Sequence, residues 1–326
     1  MPVFVHYHSP PTDDSLSILR SELVDDIKLS SSANDDMPVV TQILIAGRPK
    51  IKHLTHAKKL EALIIPWAGI PTDTRDLLLE HQDVTVHNLH HNAEAVAELA
   101  LALLLSAAKF IVPFDADLRD HNWQRRYLPN PSLLLSGKTA LILGYGAIGH
   151  RVAIMCKALG MQILAIRRQP ESSPDPVADE IHGPATLAAL LPRTHALMIC
   201  LPLTDETSGM IGERELALLP SRSVLVNIGR GRIVDEAALY HSLRDDQILA
   251  AGLDVWYNYP SIEEDRSMTA PSTYPFHELE NVVLSPHRGG ATSETNRLRM
   301  HHLARMLNEY VAGEELPNRV DLEAGY

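Results

Sequence analysis

Six residues in the middle of the chain, Gly144-Tyr145-Gly146-Ala147-Ile148-Gly149, have the types and spacing of a loop that cradles a pair of phosphates. The first glycine permits a tight turn, the second lets backbone N–H groups approach a pyrophosphate, and the third lets helix and strand come close. An apolar run without alternation, Thr139 to Leu143, precedes the loop, and the helical pattern HRVAIMCKALG follows it. The N-terminus of that helix would turn its N–H groups and partial positive charge toward the anion. Strand, loop, helix and a second strand over Met161 to Ile166 fall in the order of a dinucleotide site, which a plain glycine turn does not require. Where an NAD site places a carboxylate for the ribose hydroxyls, the run LAIRRQP offers Arg167 and Arg168. Two guanidinium groups supply charge and fork geometry to a 2′-phosphate, so NADP(H) is the preferred cofactor and NAD(H) the alternative.

Four further positions carry polar chemistry at the ends of strand-like runs. Arg230 follows the run 223–228 and brings a permanent charge with bidentate geometry. His287 follows Val282-Val283-Leu284, which puts an imidazole that titrates near neutral pH at a strand end. Asp254 closes the run 248–254, where a carboxylate either faces a ligand or caps a loop. Trp67-Ala68-Gly69-Ile70 follows the apolar run LIIP, and its glycine lets N–H groups approach an anion. Asn92, just before the helical run EAVAE, fits a helix N-cap. No metal site is expected.

The elements that hold these residues alternate. Strand-like runs at Val3 to Tyr7, Gln42 to Ala46, Ala62 to Pro66 and Val84 to His87 are separated by helix-like segments such as Asp14 to Asp26 and Thr72 to His81. The polar run Ser30 to Asp36 reads as a loop. A long Ala- and Leu-rich segment, Ala93 to Phe110, predicts a helix buried on most sides that passes between domains. A second alternating region begins at Lys138, with strand-like runs at 139–143, 161–166, 195–200, 223–228 and 248–254, and a last one at Asn281 to Ser285. The final helix, Thr292 to Ala312, has no following strand to serve and is expected to return to the first domain.

With 326 residues the chain exceeds one ordinary core, so two domains are expected. A formal charge of -12 argues against a nucleic acid partner and against anionic membrane surfaces. Only Cys156 and Cys200 occur, both inside apolar runs, and the N-terminus has no signal-peptide pattern, so a reducing, cytoplasmic location is expected.

Three segments together resemble the D-isomer-specific 2-hydroxyacid dehydrogenase family: Asn227-Ile228-Gly229-Arg230-Gly231-Arg232-Ile233-Val234-Asp235, Gly252-Leu253-Asp254-Val255-Trp256, and Ser285-Pro286-His287-Arg288-Gly289-Gly290. Leu201-Pro202-Leu203-Thr204-Asp205-Glu206-Thr207 and Glu94-Ala95-Val96-Ala97-Glu98 are similar to two further family segments. The resemblance implies two Rossmann-like domains: a central doubly wound coenzyme domain over 106–291, and a split flavodoxin-like substrate domain over 1–105 plus 292–326 that clasps it across a cleft. It implies hydride transfer between the cofactor and a small 2-oxo or 2-hydroxy acid, in a homodimer. It gives Arg230 the substrate carboxylate and carbonyl oxygen, His287 the proton, Ala68, Gly69 and Ile70 the substrate loop, and Asn92 a further substrate contact. It adds Leu201, Pro202, Thr207, Ile228, Asp254, His287 and Gly289 to the glycine loop as cofactor contacts.

One departure stands out. The family pairs its histidine with a glutamate just before the proline after the DVF or DVW motif, and here Tyr259 precedes Pro260. A phenol orients an imidazole by hydrogen bonding but does not stabilise imidazolium as a carboxylate does, so His287 is expected to have a lower pKa. Glu263 or Glu264 in the loop Ser261 to Pro275 would compensate, unless that loop is a solvated acidic surface. Two other functions stay open at this point. One is a formate-like dehydrogenase without proton transfer, and the other is a non-catalytic dinucleotide sensor.

Overall fold

The computed structural model describes residues 2–34, 36–81, 83–170 and 175–325. The chain divides into two compact units, Met1–Asn92 with Gly290–Tyr326, and Ala93–Gly289.

The first unit opens with β1 (Val3–His8), α1 (Asp13–Glu22), β2 (Ile27–Ser32), β3 (Ile43–Ile45), α2 (Ile51–His56), β4 (Ala62–Ile65), α3 (Thr72–Leu79) and β5 (Thr85–Asn88). The strands form one parallel sheet in the order β2-β1-β3-β4-β5, the flavodoxin-like arrangement. β3 and β4 are wholly buried, and their Ile and Leu runs lack alternation because helices cover both faces. β2 corrects the expected loop: Ser30, Ser31 and Ser32 are in a strand that pairs only with β1. An edge strand buries one flank, so serine is tolerated, and Ser30 Oγ meets Nδ1 of the buried His6 at 3.0 Å. Asp35, from the same expected loop, lies outside the described residues.

The second unit runs α4 (Ala93–Lys109), α5 (Ile111–Arg119), β6 (Thr139–Leu143), α6 (Ala147–Ala158), β7 (Gln162–Ile166), β8 (Glu180–His182), α7 (Leu187–Leu190), β9 (Ala196–Ile199), α8 (Glu213–Leu218), β10 (Val224–Asn227), α9 (Glu236–Arg244), β11 (Ala250–Leu253) and β12 (Val282–Leu284). All seven strands are parallel in the order β12-β11-β10-β9-β6-β7-β8. Chain order reverses between β6 and β9, and the crevice at such a reversal is where open α/β sheets bind ligands.

α4 decides where the units part. Its buried face, including Val96, Ala100, Leu103 and Leu104, packs into the core that covers β6, β9 and β10. Gly252 on β11 lets it sit close, since a Cβ there would lie 2.8 Å from the Leu103 Cβ. The boundaries expected at 105/106 and 291/292 therefore fall at 92/93 and 289/290, and α4 belongs wholly to the second unit. Phe110, at φ 53°, turns the chain out of α4, and α5 has no buried residue.

After β12 the chain re-enters the first unit as α10 (Thr295–Val311). Met300, Leu303, Ala304 and Leu307 join Leu16 and Leu19 of α1 in a core with Val5, Tyr7 and Ile45. Asn308 ties the pair at its end, donating to Glu22 O at 2.8 Å and accepting from Val24 N at 3.1 Å.

Candidate active site

Parallel strands present all their C-terminal ends along one edge of a sheet, and in the second unit the expected site residues follow those ends. The turn after β6 is a glycine cradle. Gly144 has φ +101°, and a Cβ there would lie 2.9 Å from the Cys200 and Leu201 backbones. A Cβ on Gly149 would lie 2.0 Å from Gly144 O, so this glycine sets the contact between α6 and the turn. A Cβ on Gly146 would meet nothing within 4 Å, and α6 starts there without a side-chain cap. Open space over the middle glycine, next to unbonded helix N–H groups, fits a pyrophosphate. Gly144 N and Tyr145 N both donate to Ile166 O at 3.1 Å, so the end of β7 abuts the turn. Arg167 and Arg168 come directly after it, and the Arg167 charge reaches the Tyr145 hydroxyl, which donates to Asp175 at 2.9 Å. These residues fit a nicotinamide dinucleotide. Ala147 and Ile148 begin α6 at the same place.

The loop after β9 is wedged between two glycine turns. A Cβ on Gly229 would lie 2.4 Å from Leu201 O, and Gly144 meets the N–H side of Leu201. Thr207 fastens this loop by donating to Pro202 O at 2.7 Å and accepting from Thr204 N at 2.8 Å. Ile228 is buried in the core beneath.

Arg230 is held by its neighbours on both sides. Gly231 packs on Trp256, where a Cβ would come within 2.3 Å of the carbonyl oxygen. Asn227 at the end of β10 donates to Arg230 O at 2.9 Å and accepts from Gly229 N at 3.1 Å. The Arg230 Nη1 donates to Gly229 O at 2.7 Å, which leaves its other N–H donors for a ligand. Burial lowers its pKa and Tyr259 raises it.

Asp254 organises the histidine loop. Its carboxylate is 2% exposed and accepts from Ser285 Oγ at 2.5 Å, Arg288 N at 2.8 Å and Gly289 N at 2.9 Å. Of the two roles open to it from sequence, the structure displays the loop cap. Between these anchors His287 adopts φ +56°, a left-handed conformation that a residue with a Cβ rarely takes. The imidazole stays in contact with solvent. Burial is the first cause that lowers its pKa, Arg230 lowers it further, and Asp254 raises it.

Tyr259 meets His287 ring against ring, with centroids 5.6 Å apart and planes tilted by 55°. Its hydroxyl accepts from Trp256 N at 3.0 Å, so the hydrogen bond to the imidazole that the sequence suggested is replaced by ring contact. Burial raises the phenol's pKa, which keeps it neutral. Neither glutamate substitutes for the missing one. Glu263 pairs with Arg266 at 2.7 Å on the surface, and the carboxylate whose charge reaches His287 is Asp254.

The first unit places Ala68, Gly69 and Ile70 in the loop after β4. Asn88, at the end of β5, donates to Ala68 O at 2.8 Å, and Leu89 N donates to Trp67 O at 3.3 Å. The Trp67 ring occupies the space above Gly47, where a Cβ would lie 1.7 Å from it. Asn92 makes no cap bond through its side-chain oxygen, which is buried without a donor, and its amide packs on Gly290. Asn227, Trp256 and Ser285, which stand in the three family-like segments without an assigned role, are positioning residues in the structure. Asn227 alone carried a signal, as an asparagine two residues before a glycine at a strand end.

A family model described as the D-isomer specific 2-hydroxyacid dehydrogenase NAD binding domain matches residues 101–289. A glyoxylate reductase of Aeropyrum pernix is 41% identical over 237 residues, covering 71% of this chain and 67% of that enzyme. A D-3-phosphoglycerate dehydrogenase of Mycobacterium tuberculosis is 33% identical over 284 residues, and the match spans 86% of this chain and 49% of that longer protein. A solved structure from Xanthobacter autotrophicus, described as a D-isomer specific 2-hydroxyacid dehydrogenase in complex with NADPH and MES, has the same fold, with a TM-score of 0.79 at 24% identity and full coverage of both chains. With the dinucleotide cradle, the arginine turn and the histidine loop all inside or beside the matched span, the chain belongs to the D-isomer specific 2-hydroxyacid dehydrogenase family, whose members are NAD(P)-dependent oxidoreductases.

Proposed function

We propose that the protein uses NADPH to reduce a small 2-oxo acid, glyoxylate or a close analogue, to the D-2-hydroxy acid. The observation that carries this reading is the coupling of Arg230 and His287: the arginine charge reaches the imidazole, and both follow C-terminal strand ends of the sheet whose first turn is the dinucleotide cradle. Arg230 binds the substrate carboxylate and draws electron density toward the carbonyl oxygen. His287, protonated, gives that oxygen its proton. When bound, the cofactor supplies the hydride to the carbonyl carbon. Asp254 keeps the histidine loop in place through Arg288 N and Gly289 N. Gly144 to Gly149 hold the pyrophosphate, and Arg167 with Arg168 take the 2′-phosphate. Leu201, Pro202, Thr207 and Ile228 shape the floor beneath the dinucleotide, and the 66–70 loop and Asn92 belong to the substrate side.

A second copy of the chain is the proposed partner. α5 has no buried residue, and Ile111, Val112, Leu118 and Trp123 are each about half exposed. A helix with exposed apolar side chains and none buried fits a surface that a second copy covers. Cys156 and Cys200 are free thiols, in keeping with the proposed cytoplasmic location. The deciding assay supplies glyoxylate, hydroxypyruvate, pyruvate and bulkier 2-oxo acids with NADPH and NADH in parallel. Turnover of a small 2-oxo acid with NADPH favoured supports the reading. Equal rates with both coenzymes would remove the NADPH preference, and oxidation of labelled formate would replace the reaction.

A further inference from the structure

The first unit holds a cation that lacks a counter-charge. Arg299 on α10 is half-buried and donates to Asn296 Oδ1 at 3.2 Å, and its charge reaches the hydroxyl of Tyr7, which is 1% exposed. Its Nε is buried with no acceptor, and no carboxylate pairs with it among the described residues. His91, just past β5, stands within reach of that charge. It is 4% exposed, and both of its ring nitrogens are buried without a hydrogen-bond partner. Burial, then Arg299, then His302 and His90 push its imidazole down to about 4, so it is neutral and offers one donor and one acceptor.

A buried guanidinium N–H and an orphan imidazole together are a costly arrangement unless a ligand completes them. The charged and titratable groups that reach His91 are Arg299, His302 and His90, with no carboxylate among them, so the missing piece is an anion. A carboxylate matches in shape as well as charge. One oxygen accepts from Arg299 Nε–H and the other from the His91 N–H, and the Tyr7 O–H, which the Arg299 charge reaches, is a third donor nearby. We propose that Arg299, His91 and Tyr7 form a second carboxylate-binding site, built within the first unit and separate from Arg230.

The test is calorimetric titration of the full chain with malonate in the Arg230→Ala background, which removes the carboxylate site of the second unit. The expected result is saturable binding that weakens at least tenfold on further substitution of Arg299→Met and survives, weakened less, with Arg299→Lys. Should the methionine variant fold poorly, protein labelled with 15N-histidine gives an independent reading, because malonate must shift the His91 ring resonances. Absent malonate binding, binding indifferent to Arg299, or His91 resonances that do not move would overturn the site. Kinetics then check the separation, on the reduction proposed above. With malonate binding lost, unchanged KM for both glyoxylate and oxaloacetate in Arg299→Met is the result expected of a site separate from Arg230.

Discussion

His287 and Tyr259 face each other with ring centroids 5.6 Å apart, and the phenol hydroxyl is bonded to Trp256 N, 3.0 Å away, in place of the imidazole. The histidine therefore has no carboxylate in place of the phenol against its ring to hold its proton. Burial and Arg230 both lower its pKa, and Asp254, with its oxygens engaged by three donors, offsets them only in part.

The pH profile follows from that sign. The proposed reduction needs protonated His287, so kcat/KM should fall as pH rises through a histidine pKa below the usual value. Tyr259→Glu should move that limb to higher pH by about one unit, the size of shift an adjacent carboxylate brings. A profile indifferent to the substitution would mean that the ring contact does not govern the proton.

Gly231→Ala tests the arginine turn. The added methyl would lie 2.3 Å from Trp256 O, so the turn must move and carry Arg230 with it. A displacement of about 1 Å is expected to cost about 100-fold in kcat/KM. NADPH affinity, measured by fluorescence titration, should change much less. Unaltered kinetics would show that the turn does not set the position of Arg230.

Asp254→Asn removes the charge that raises the His287 pKa and puts an amide against two backbone N–H groups. A fall in kcat of about 100-fold is expected, on the scale of losing well-placed proton transfer. The remaining profile should shift further toward acid. A profile displaced toward alkali would contradict the assigned electrostatics.

Coenzyme choice is open to direct test at Arg167 and Arg168. Replacing both with glutamine should raise the KM for NADPH at least tenfold, or about 1.4 kcal/mol, and leave that for NADH near its starting value. Equal effects on both coenzymes would reassign the arginines to general stability.

Much of this site was legible because its residues sit where periodicity changes. The glycine loop lies between an apolar run and a helical pattern, and Arg230 and His287 follow short apolar strands. What stayed hidden depends on contacts between distant segments. Gly252 reads as an ordinary strand glycine until Leu103 of α4 is seen against it, and that contact moves the expected boundary from 105 to 92. β2 looked like a loop because Ser30 to Ser32 are polar, yet backbone pairing to β1 needs no apolar side chain. The engagement of the Tyr259 hydroxyl by Trp256 N depends on how residues 256–259 turn, which residue types alone do not specify.

Acid should weaken the first unit. His6 is 1% exposed and its pKa is lowered to about 4, by burial first and then by His8 and His53. A histidine with a depressed folded pKa contributes stability above its unfolded pKa and loses it as pH falls toward the folded value. Between about pH 6.5 and 4 this group alone should cost up to about 3 kcal/mol. Thermal unfolding followed across that range should show Tm falling, with a shallower fall in His6→Gln. A Tm that stays level from pH 6.5 to 4 would show that His6 takes up its proton without penalty.

The most direct test of the reaction is the rate of NADPH oxidation by glyoxylate in the native enzyme and in His287→Gln, with NADPH affinity measured on the same samples. Loss of at least 100-fold in kcat at unchanged NADPH affinity is the expected result. Turnover that survives the substitution would contradict the assignment of His287 as the proton donor.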